Sequence, residues 1–294
     1  MTSVPPPDRR LFIAAASASL FAASTARATD PTGFIPALQA IEAEIGGRVG
    51  VAARDTGSGA WLGRRADERF AMCSTFKLFL AATVLGRIDE GSLTAMRMVA
   101  VSPADLLPHS PVTSAHAAEG AMSVNDLCAA VIEESDNGAA NLLLRLIGGP
   151  AGLTRHMRRL GDPVTRLDRT ELALNTNLKG DVRDTTTPAA YVRTMGRVLL
   201  GDGLSAASRR RLEAWMVDCK TGLERLRAGL PAGWRAGDKT GSGENGAVND
   251  VAILRPPGRS PILIAVFMSE SSHPVERLNA AHARIARAAI AALA

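Results

Sequence analysis

The spacing of apolar side chains changes twice along the chain. Residues 33–46 have apolar side chains at helical intervals, which predicts a helix. Two short stretches, 48–54 and 60–64, then predict a pair of strands around a glycine-rich turn. From 73 to 216 the pattern is helical almost throughout. A mostly helical middle therefore follows a helix and two strands.

The last part of the chain returns to strand-like patterns. Residues 250–254 and 262–268 are short, nearly continuous apolar runs typical of buried central strands, and the last twenty residues predict a helix. We therefore predict an α+β fold in which terminal helices flank an antiparallel sheet of about five strands. This sheet domain comprises 29–72 and 218–294, and an all-helical domain, 73–217, is inserted between its two parts.

Local start and stop signals predict four helices within the insert. Capping residues, an N1 proline and terminal glycines supply these signals. The predicted helices are 75–89, ending before Gly91; one beginning at Ser123, with Asp126 three residues on; 141–147, ending at Gly148-Gly149-Pro150; and one from Pro188 to Leu200, capped by Thr187.

A long polar segment interrupts the helical pattern at residues 162–185, which we call the polar loop. Loops of this length inside a compact domain are usually functional or disordered. Its opposite charges favour an ordered loop, and we expect an ion pair of Arg166 with Asp181 or Asp184 to close it.

Composition and charge narrow the class of protein. The chain has 294 residues, 46% apolar and 21% charged, which is typical of a soluble globular protein. Its formal charge of +5 is small and scattered, so we expect no nucleic-acid partner. Residues 209–211, three consecutive arginines, are interpreted as a solvated helix face.

The N-terminus resembles an export signal, predicted to span residues 1–28. Arg9 and Arg10 precede an apolar stretch at 11–23 that is too short to span a membrane, and Ala26-Arg27-Ala28 fits a cleavage site. An ordinary secretory signal and a twin-arginine signal both fit. We expect an exported protein, periplasmic or secreted, with no stable membrane association after processing.

Cysteine and histidine positions give no support for a metal site. The three cysteines, Cys73, Cys128 and Cys219, lack metal-ligand spacing, and the five histidines are scattered. Residues 241–246 spell a Gly-x-Gly-x-x-Gly motif, but a strand follows it where a dinucleotide site requires a helix. We therefore predict no metal and no cofactor.

A candidate nucleophile lies at the start of the predicted helix 75–89. Ser74 and Lys77 are three residues apart, which places both side chains on one helix face. Lys77 stands among apolar residues, and a desolvated lysine loses its proton more easily. The pair is therefore suited to nucleophilic catalysis.

Three more polar blocks follow in order. Ser135-Asp136-Asn137 lies between two predicted helices, and Glu171 and Asn175 lie in the polar loop. Lys-Thr-Gly occurs twice: we interpret 220–222 as a helix C-cap, and 239–242 as an edge strand that can line a cleft and hold a carboxylate.

These blocks resemble the serine penicillin-recognising enzymes, which share Ser-x-x-Lys, Ser-Asp-Asn and Lys-Thr-Gly in this order. The segment 171–175 matches the Glu-x-x-x-Asn block on the omega loop of class A β-lactamases. Further similarity at 110–113, 184–188 and 232–234 extends the resemblance over essentially the whole mature chain.

The resemblance implies a role for each block. Ser74 would attack the β-lactam carbonyl, and Lys77, or Glu171 through a water, would take its proton. Backbone N–H groups of Ser74 and Ser242 would form the oxyanion hole, and Ser135 would pass a proton to the ring nitrogen. The binding roles would fall to Asn137 for the substrate amide, Asn175 with Glu171 for the hydrolytic water, and Lys239, Thr240 and Ser242 for the carboxylate.

Two positions depart from the family pattern on the cleft walls. Many members carry an arginine where this chain has Val248, and we expect Arg225 to supply that charge. His109 occupies a cleft-rim position that is often aromatic.

The cysteines also depart from the family pattern. The partner of Cys73 would fall at Gly243, and the partner of Cys128 at Ala81. The resemblance therefore implies that neither family disulfide forms.

The sequence thus predicts a monomeric class A β-lactamase that acts on small-molecule β-lactams. Two alternatives share its acylation residues: a penicillin-binding DD-peptidase, which would not need Glu171 and Asn175, and a β-lactam sensor that stays acylated.

Overall fold

The structure is a computed structural model that describes residues 1–2 and 33–294. The predicted export signal, apart from its first two residues, lies outside the described residues. Across the described part of the chain, no helix combines the length and the apolar character needed to cross a membrane.

The helices and strands of the described residues are numbered in chain order. The helices are α1 (Phe34–Ile45), α2 (Phe76–Asp89), α3 (Pro111–Ala115), α4 (Val124–Glu133), α5 (Asn137–Ile147), α6 (Gly149–Arg159), α7 (Pro188–Leu199), α8 (Ala206–Val217) and α9 (Val275–Leu293). The strands are β1 (Arg48–Asp55), β2 (Trp61–Arg64), β3 (Phe70–Ala71), β4 (Met98–Ala100), β5 (Ala121–Ser123), β6 (Thr185–Thr186), β7 (Arg235–Ser242), β8 (Val248–Arg255) and β9 (Ile262–Ser269). Short 3-10 turns occur at Cys73–Thr75, Pro103–Asp105, Ala173–Asn175 and Leu226–Gly229.

Five strands form one antiparallel sheet in the order β2-β1-β9-β8-β7. The N-terminal strands pair with the C-terminal ones through β1 and β9, where Ala52 lies opposite Ala265. This arrangement confirms the predicted α+β fold with an antiparallel five-stranded sheet.

The sheet separates two apolar cores because successive side chains of a strand point to opposite faces. On β9, Ile264 and Val266 pack in the core beneath the terminal helices α1 and α9. Ala265 and Phe267 belong to the core on the helical side. Burial on both faces explains why β8 and β9 have nearly continuous apolar sequences.

Helix α2 is the centre of the helical part. Every residue from Phe76 to Gly86 is buried, and α4, α5, α6 and α8 pack around it. A helix that is buried on all sides needs an almost entirely apolar sequence. Lys77, with no exposed surface, is therefore an exception that the surrounding polar groups must satisfy.

The capping predictions are confirmed at two helix starts. The Ser123 hydroxyl accepts a hydrogen bond from the Asp126 N–H, and the Thr187 hydroxyl accepts one from the Ala190 N–H. Such caps satisfy N–H groups that have no partner within the helix.

Other boundaries differ from the prediction. Helix α5 begins four residues early, because the Asp136 carboxylate caps it through the Ala139 N–H. Gly148, with a φ of 86°, ends α5 and immediately precedes α6. Helix α6 was not predicted from the sequence. Pro150 is tolerated in the first turn of α6, where its missing N–H has no helical partner to lose.

The segment expected to be entirely helical also contains strands. Strand β4 pairs with β5, and β6 pairs with β3, which lies just before the insert. These strands have only two or three residues, which is too short for a periodic signal.

All three cysteines are free and buried, so neither family-type disulfide forms. A Cβ atom built on Gly243 would lie 2.7 Å from the Cys73 sulfur, so Gly243 stands where the resemblance places the missing partner of Cys73. Burial raises the pKa of the Cys73 thiol to about 12 and also raises the pKa of Cys128 and Cys219. Buried, protonated thiols react slowly.

We expect the folded protein to react negligibly with Ellman's reagent, and the same sample in concentrated guanidinium to release three thiol equivalents, one per cysteine. The thiols that react are counted from the absorbance of the released chromophore, and no reductant is added to either sample. Recovery of about one equivalent after unfolding would instead show that two cysteines are paired.

Candidate active site

Ser74 lies in the tight turn that precedes α2, at the junction of the two parts of the molecule. Cys73 has a φ of 45°, a left-handed conformation that is uncommon outside glycine. On the sheet side, the Asn249 amide donates to the carbonyls of Ala71 and Met72. The chain just before Ser74 is therefore fixed to strand β8.

Strand β7 approaches the same turn very closely. A Cβ atom on Gly241 would lie 2.7 Å from the Met72 carbonyl oxygen and 3.1 Å from the Ser74 nitrogen. A side chain at this position would push β7 away, so glycine is required for the close approach.

Lys77 lies one turn below Ser74 and has no exposed surface. Its Nζ donates to Ser74 Oγ at 3.1 Å, to Asn137 Oδ1 at 2.6 Å and to the Ser135 carbonyl at 2.7 Å. The Glu171 carboxylate lies 3.0 Å away. Desolvation lowers the pKa of Lys77, and the Glu171 charge opposes that effect.

Ser135 joins the two lysines of the site. Its hydroxyl accepts a hydrogen bond from Lys239 Nζ at 3.0 Å and lies 3.4 Å from Lys77 Nζ. Ser135 has a φ of 58°, a conformation that persists only where neighbouring contacts hold it.

Asp136 provides that restraint without facing the cleft. Its buried carboxylate accepts hydrogen bonds from the N–H groups of Val112, Thr113 and Ala139 and from the Thr113 hydroxyl. Asp136 is thus a structural anchor between Ser135 and Asn137, both of which reach Lys77.

Glu171 and Asn175 lie on the polar loop, opposite Lys77. Glu171 Oε1 is 3.4 Å from Ser74 Oγ, and Glu171 Oε2 accepts a hydrogen bond from the Asn175 amide at 2.7 Å. The Asn141 side chain accepts from the Glu171 N–H and donates to the Glu171 carbonyl. This two-point contact fixes the polar loop to helix α5.

The polar loop is ordered by ion pairs, but not by the predicted one. Arg169 contacts the buried Asp184 at 2.6 Å and lies 3.7 Å from Asp181. Arg166 instead pairs with Asp168, two residues away. The prediction of Arg166 was wrong because sequence separation does not show which arginine points inward.

Strand β7 forms the cationic wall of the cleft. Lys239 is buried, and desolvation lowers its pKa to about 8. The Thr240 hydroxyl is hydrogen bonded to the Thr221 hydroxyl. Arg225 donates to Ser242 Oγ at 2.8 Å and to the Gly241 carbonyl at 3.1 Å, so its charge lies beside the strand.

A cavity of about 500 Å³ opens between these walls, lined by Ser74, Ser135, Asn137 and the β7 segment among others. His109 lies at its rim, where its ring nitrogen contacts the Glu134 carbonyl at 2.9 Å. All eleven residues predicted for the site are therefore within this cavity or hydrogen bonded to residues that line it.

Three residues of the site were missed in the sequence. Asn141 and Asn249 are polar residues within apolar segments, a signal that could have identified both. Thr221 belongs to the Lys-Thr-Gly copy interpreted as a helix cap. That interpretation was wrong: α8 ends at Val217, and Thr221 lines the cleft beside Thr240.

The geometry suits acyl transfer. A half-buried hydroxyl contacts two groups that can accept its proton, and a fixed cationic wall faces it. Among the described residues, no group of histidine, cysteine and acidic side chains is arranged to hold a metal ion.

Comparison with known proteins reveals extensive similarity. A family model described as the beta-lactamase enzyme family matches residues 34–293. Beta-lactamase AST-1 of Nocardia asteroides is 43% identical, with 97% of this chain and 96% of that protein covered. Beta-lactamase L2 of Stenotrophomonas maltophilia is 47% identical, with 94% and 88% covered.

Solved structures agree in fold. A class A β-lactamase reconstructed as the last common ancestor of Gram-negative bacteria is 53% identical, with a TM-score of 0.86 over 87% of this chain and 98% of that one. A β-lactamase from Xanthomonas campestris is 46% identical, with a TM-score of 0.87 over 89% and 97%.

Proposed function

The chain belongs to the beta-lactamase enzyme family and is a hydrolase of β-lactams, and we propose that it works through an acyl-enzyme on Ser74. The observation that carries the proposal is the position of Glu171. Its carboxylate lies within 3.4 Å of Ser74 Oγ and 3.0 Å of Lys77 Nζ. A carboxylate fixed beside the nucleophile is what hydrolysis of the ester requires.

In the first step, Ser74 Oγ attacks the carbonyl carbon of the lactam ring and loses its proton. Glu171 accepts the proton when Lys77 is an ammonium, and Lys77 accepts it when it is a neutral amine and can pass it to Glu171 across their 3.0 Å contact. The negative oxygen that develops is held by the backbone N–H groups of Ser74 and Ser242. The close approach of β7 at Gly241 supports this role, because it brings the two segments together.

The ring C–N bond then breaks, and the nitrogen takes a proton. Ser135 Oγ is the proposed donor, since it contacts Lys239 and lies within reach of Lys77. A proton that leaves Ser135 is replaced through Lys77, which closes the cycle begun by Ser74.

In the second step, Glu171 takes a proton from the water that attacks the ester. Asn175 donates to Glu171, and its buried Oδ1 has no hydrogen-bond partner in the described part of the chain. That oxygen can accept a hydrogen bond from the water and orient it. The water oxygen bonds to the acyl carbon, the ester C–O bond breaks, and Ser74 regains its proton.

The cationic wall is proposed to bind the substrate carboxylate. Lys239, Arg225 and the hydroxyls of Thr240 and Ser242 provide charge and hydrogen-bond donors along β7. Asn137 would hold the substrate amide, and His109 would contact the substrate at the rim. We further propose that the exported protein acts as a monomer in the periplasm or outside the cell.

We expect each molecule of the mature protein to hydrolyse many molecules of a chromogenic cephalosporin. Absorbance measures turnover, and intact mass measured in parallel shows any covalent adduct. One equivalent of lasting acylation without turnover would contradict hydrolysis and favour a sensor or a peptidase.

Replacing Glu171 by alanine (Glu171→Ala) should slow release of the acyl group by about 10²–10⁴-fold, because the general base for water is lost. With a penicillin as the substrate, mass spectrometry should then detect a penicilloyl adduct on Ser74. The control, Ser74→Ala, should form no adduct. Wild-type turnover by Glu171→Ala would refute the assignment of Glu171.

The pH dependence of kcat/KM tests whether the charge of Lys239 binds the substrate carboxylate. Since its pKa is lowered to about 8, Lys239 is charged below that pH and neutral above it. Carboxylate binding should therefore weaken as the pH rises, by about ten-fold or more toward about pH 10. Lys77, whose pKa is also lowered, would produce a similar decline where its ammonium supplies the proton of Ser135.

The variant Lys239→Arg separates these two causes. A guanidinium stays charged throughout this pH range, so the decline near pH 8 should move to higher pH. An alkaline decline unchanged in Lys239→Arg would exclude Lys239 as its source.

A further inference from the structure

A second cavity, of about 440 Å³, lies beneath residues 177–183 of the polar loop. Phe70 and Ala71 of β3 and the end of β9 form its other walls. Among the described residues, none lines both this cavity and the catalytic cleft. The second cavity is therefore separate from the cleft, although residues of the polar loop contribute to the walls of both.

Basic side chains exceed acidic ones around this second cavity. Five cationic residues and two carboxylates line the cavity, and Glu68 and Asp184 outside the lining pair with two of the arginines. This leaves an excess of one positive charge, which favours an anionic ligand. The cationic residues are Arg48, Arg69, Arg169, Lys179 and Arg183, and the acidic ones are Asp181 and Glu270.

Two of these cations have no carboxylate partner among the described residues. Arg69 donates to the Val164 carbonyl at 3.0 Å and to the Thr185 hydroxyl at 2.9 Å, both of which are neutral. Lys179 is exposed and forms no ion pair within the described ranges. The other three arginines already pair with acidic side chains. Arg69 and Lys179 thus supply uncompensated charge.

The same second cavity has an apolar side. The Phe70 ring lies under the Arg48 guanidinium at 4.5 Å, and Leu178 and Val182 line the cavity although each is about half exposed. Inorganic anions gain nothing from such a wall. An organic anion places its charge on the arginines and its apolar part against these side chains.

We propose that this second cavity binds a small organic anion, a carboxylate or phosphate ester with an apolar body. Arg69 and Lys179 hold the charged group, and the segment 177–183 packs on the rest. Among the described residues, no side chain that lines the second cavity is hydrogen bonded to Ser74 or Glu171, so a bound anion would not contact the groups of the proposed catalytic steps.

Binding there is connected to the cleft through the backbone. Asn177 lines the second cavity, and its amide donates to the Asn245 carbonyl at 2.9 Å and to Ser269 Oγ at 3.0 Å. The neighbouring Glu244 lines the cleft, and its N–H donates to the Asn175 carbonyl. A bound anion should therefore stabilise the polar loop in the arrangement described above and raise the melting temperature.

The test titrates the mature protein with phenyl phosphate, benzene-1,3-dicarboxylate and inorganic phosphate, measured by calorimetry and melting temperature. We expect saturable binding of one organic anion per chain, tighter than inorganic phosphate. Lys179→Glu should weaken binding by about five-fold or more, because it reverses a charge close to the anion. Arg210→Glu, the same charge change at an exposed residue of α8, should leave the affinity unchanged.

Arg69→Gln provides a second variant, with its folding checked by melting temperature because Arg69 also contacts Val164. Equal affinities in Lys179→Glu and Arg210→Glu would overturn the proposal, as would the absence of saturable binding. A rise in the KM for a chromogenic β-lactam, identical in wild type and Lys179→Glu, would place the anion in the cleft and also overturn it.

Discussion

The burial of the Lys77 amino group is the constraint on which the rest of the site depends. An uncompensated buried charge costs several kcal/mol, so a buried lysine requires several polar partners with good geometry. Three separate segments provide them: Ser135 and Asn137 at the start of α5, Glu171 in the polar loop, and Ser74 in the turn before α2. Satisfying this one charge therefore brings together the groups proposed for both chemical steps.

The surrounding fold maintains this arrangement through buried polar contacts rather than by apolar packing alone. Asp136 fixes the segment that carries Ser135, Asn141 fixes the backbone of Glu171, and Asp184 with Arg169 fixes the polar loop. Since each contact is partly or fully shielded from water, loss of one partner would leave a polar group unsatisfied. Such contacts define one conformation of the site more sharply than apolar contacts do.

The cleft lies between the sheet and the helices, so its two walls come from different parts of the fold and carry different groups. The helical side carries the proposed nucleophile and its proposed proton acceptors, whereas edge strand β7 carries a row of charge and donors. Gly241 permits the close approach of these two surfaces. The cavity that remains between the two walls can hold a ligand that contacts both.

The sequence by itself determined the fold class, most of the long elements and the residues of the candidate site. Apolar periodicity and capping residues act locally, so the strands of the sheet and the starts of α4 and α7 could be predicted. Ordered motifs then predicted Ser74, Lys77, Ser135, Glu171 and Lys239 as site residues, and the structure brings these side chains together. Only the tertiary structure decided which arginine pairs with Asp184, that Thr221 faces Thr240, and that Asn141 holds Glu171. These contacts join residues from different elements or different turns of one loop, and the direction of each side chain follows from packing that no local pattern records.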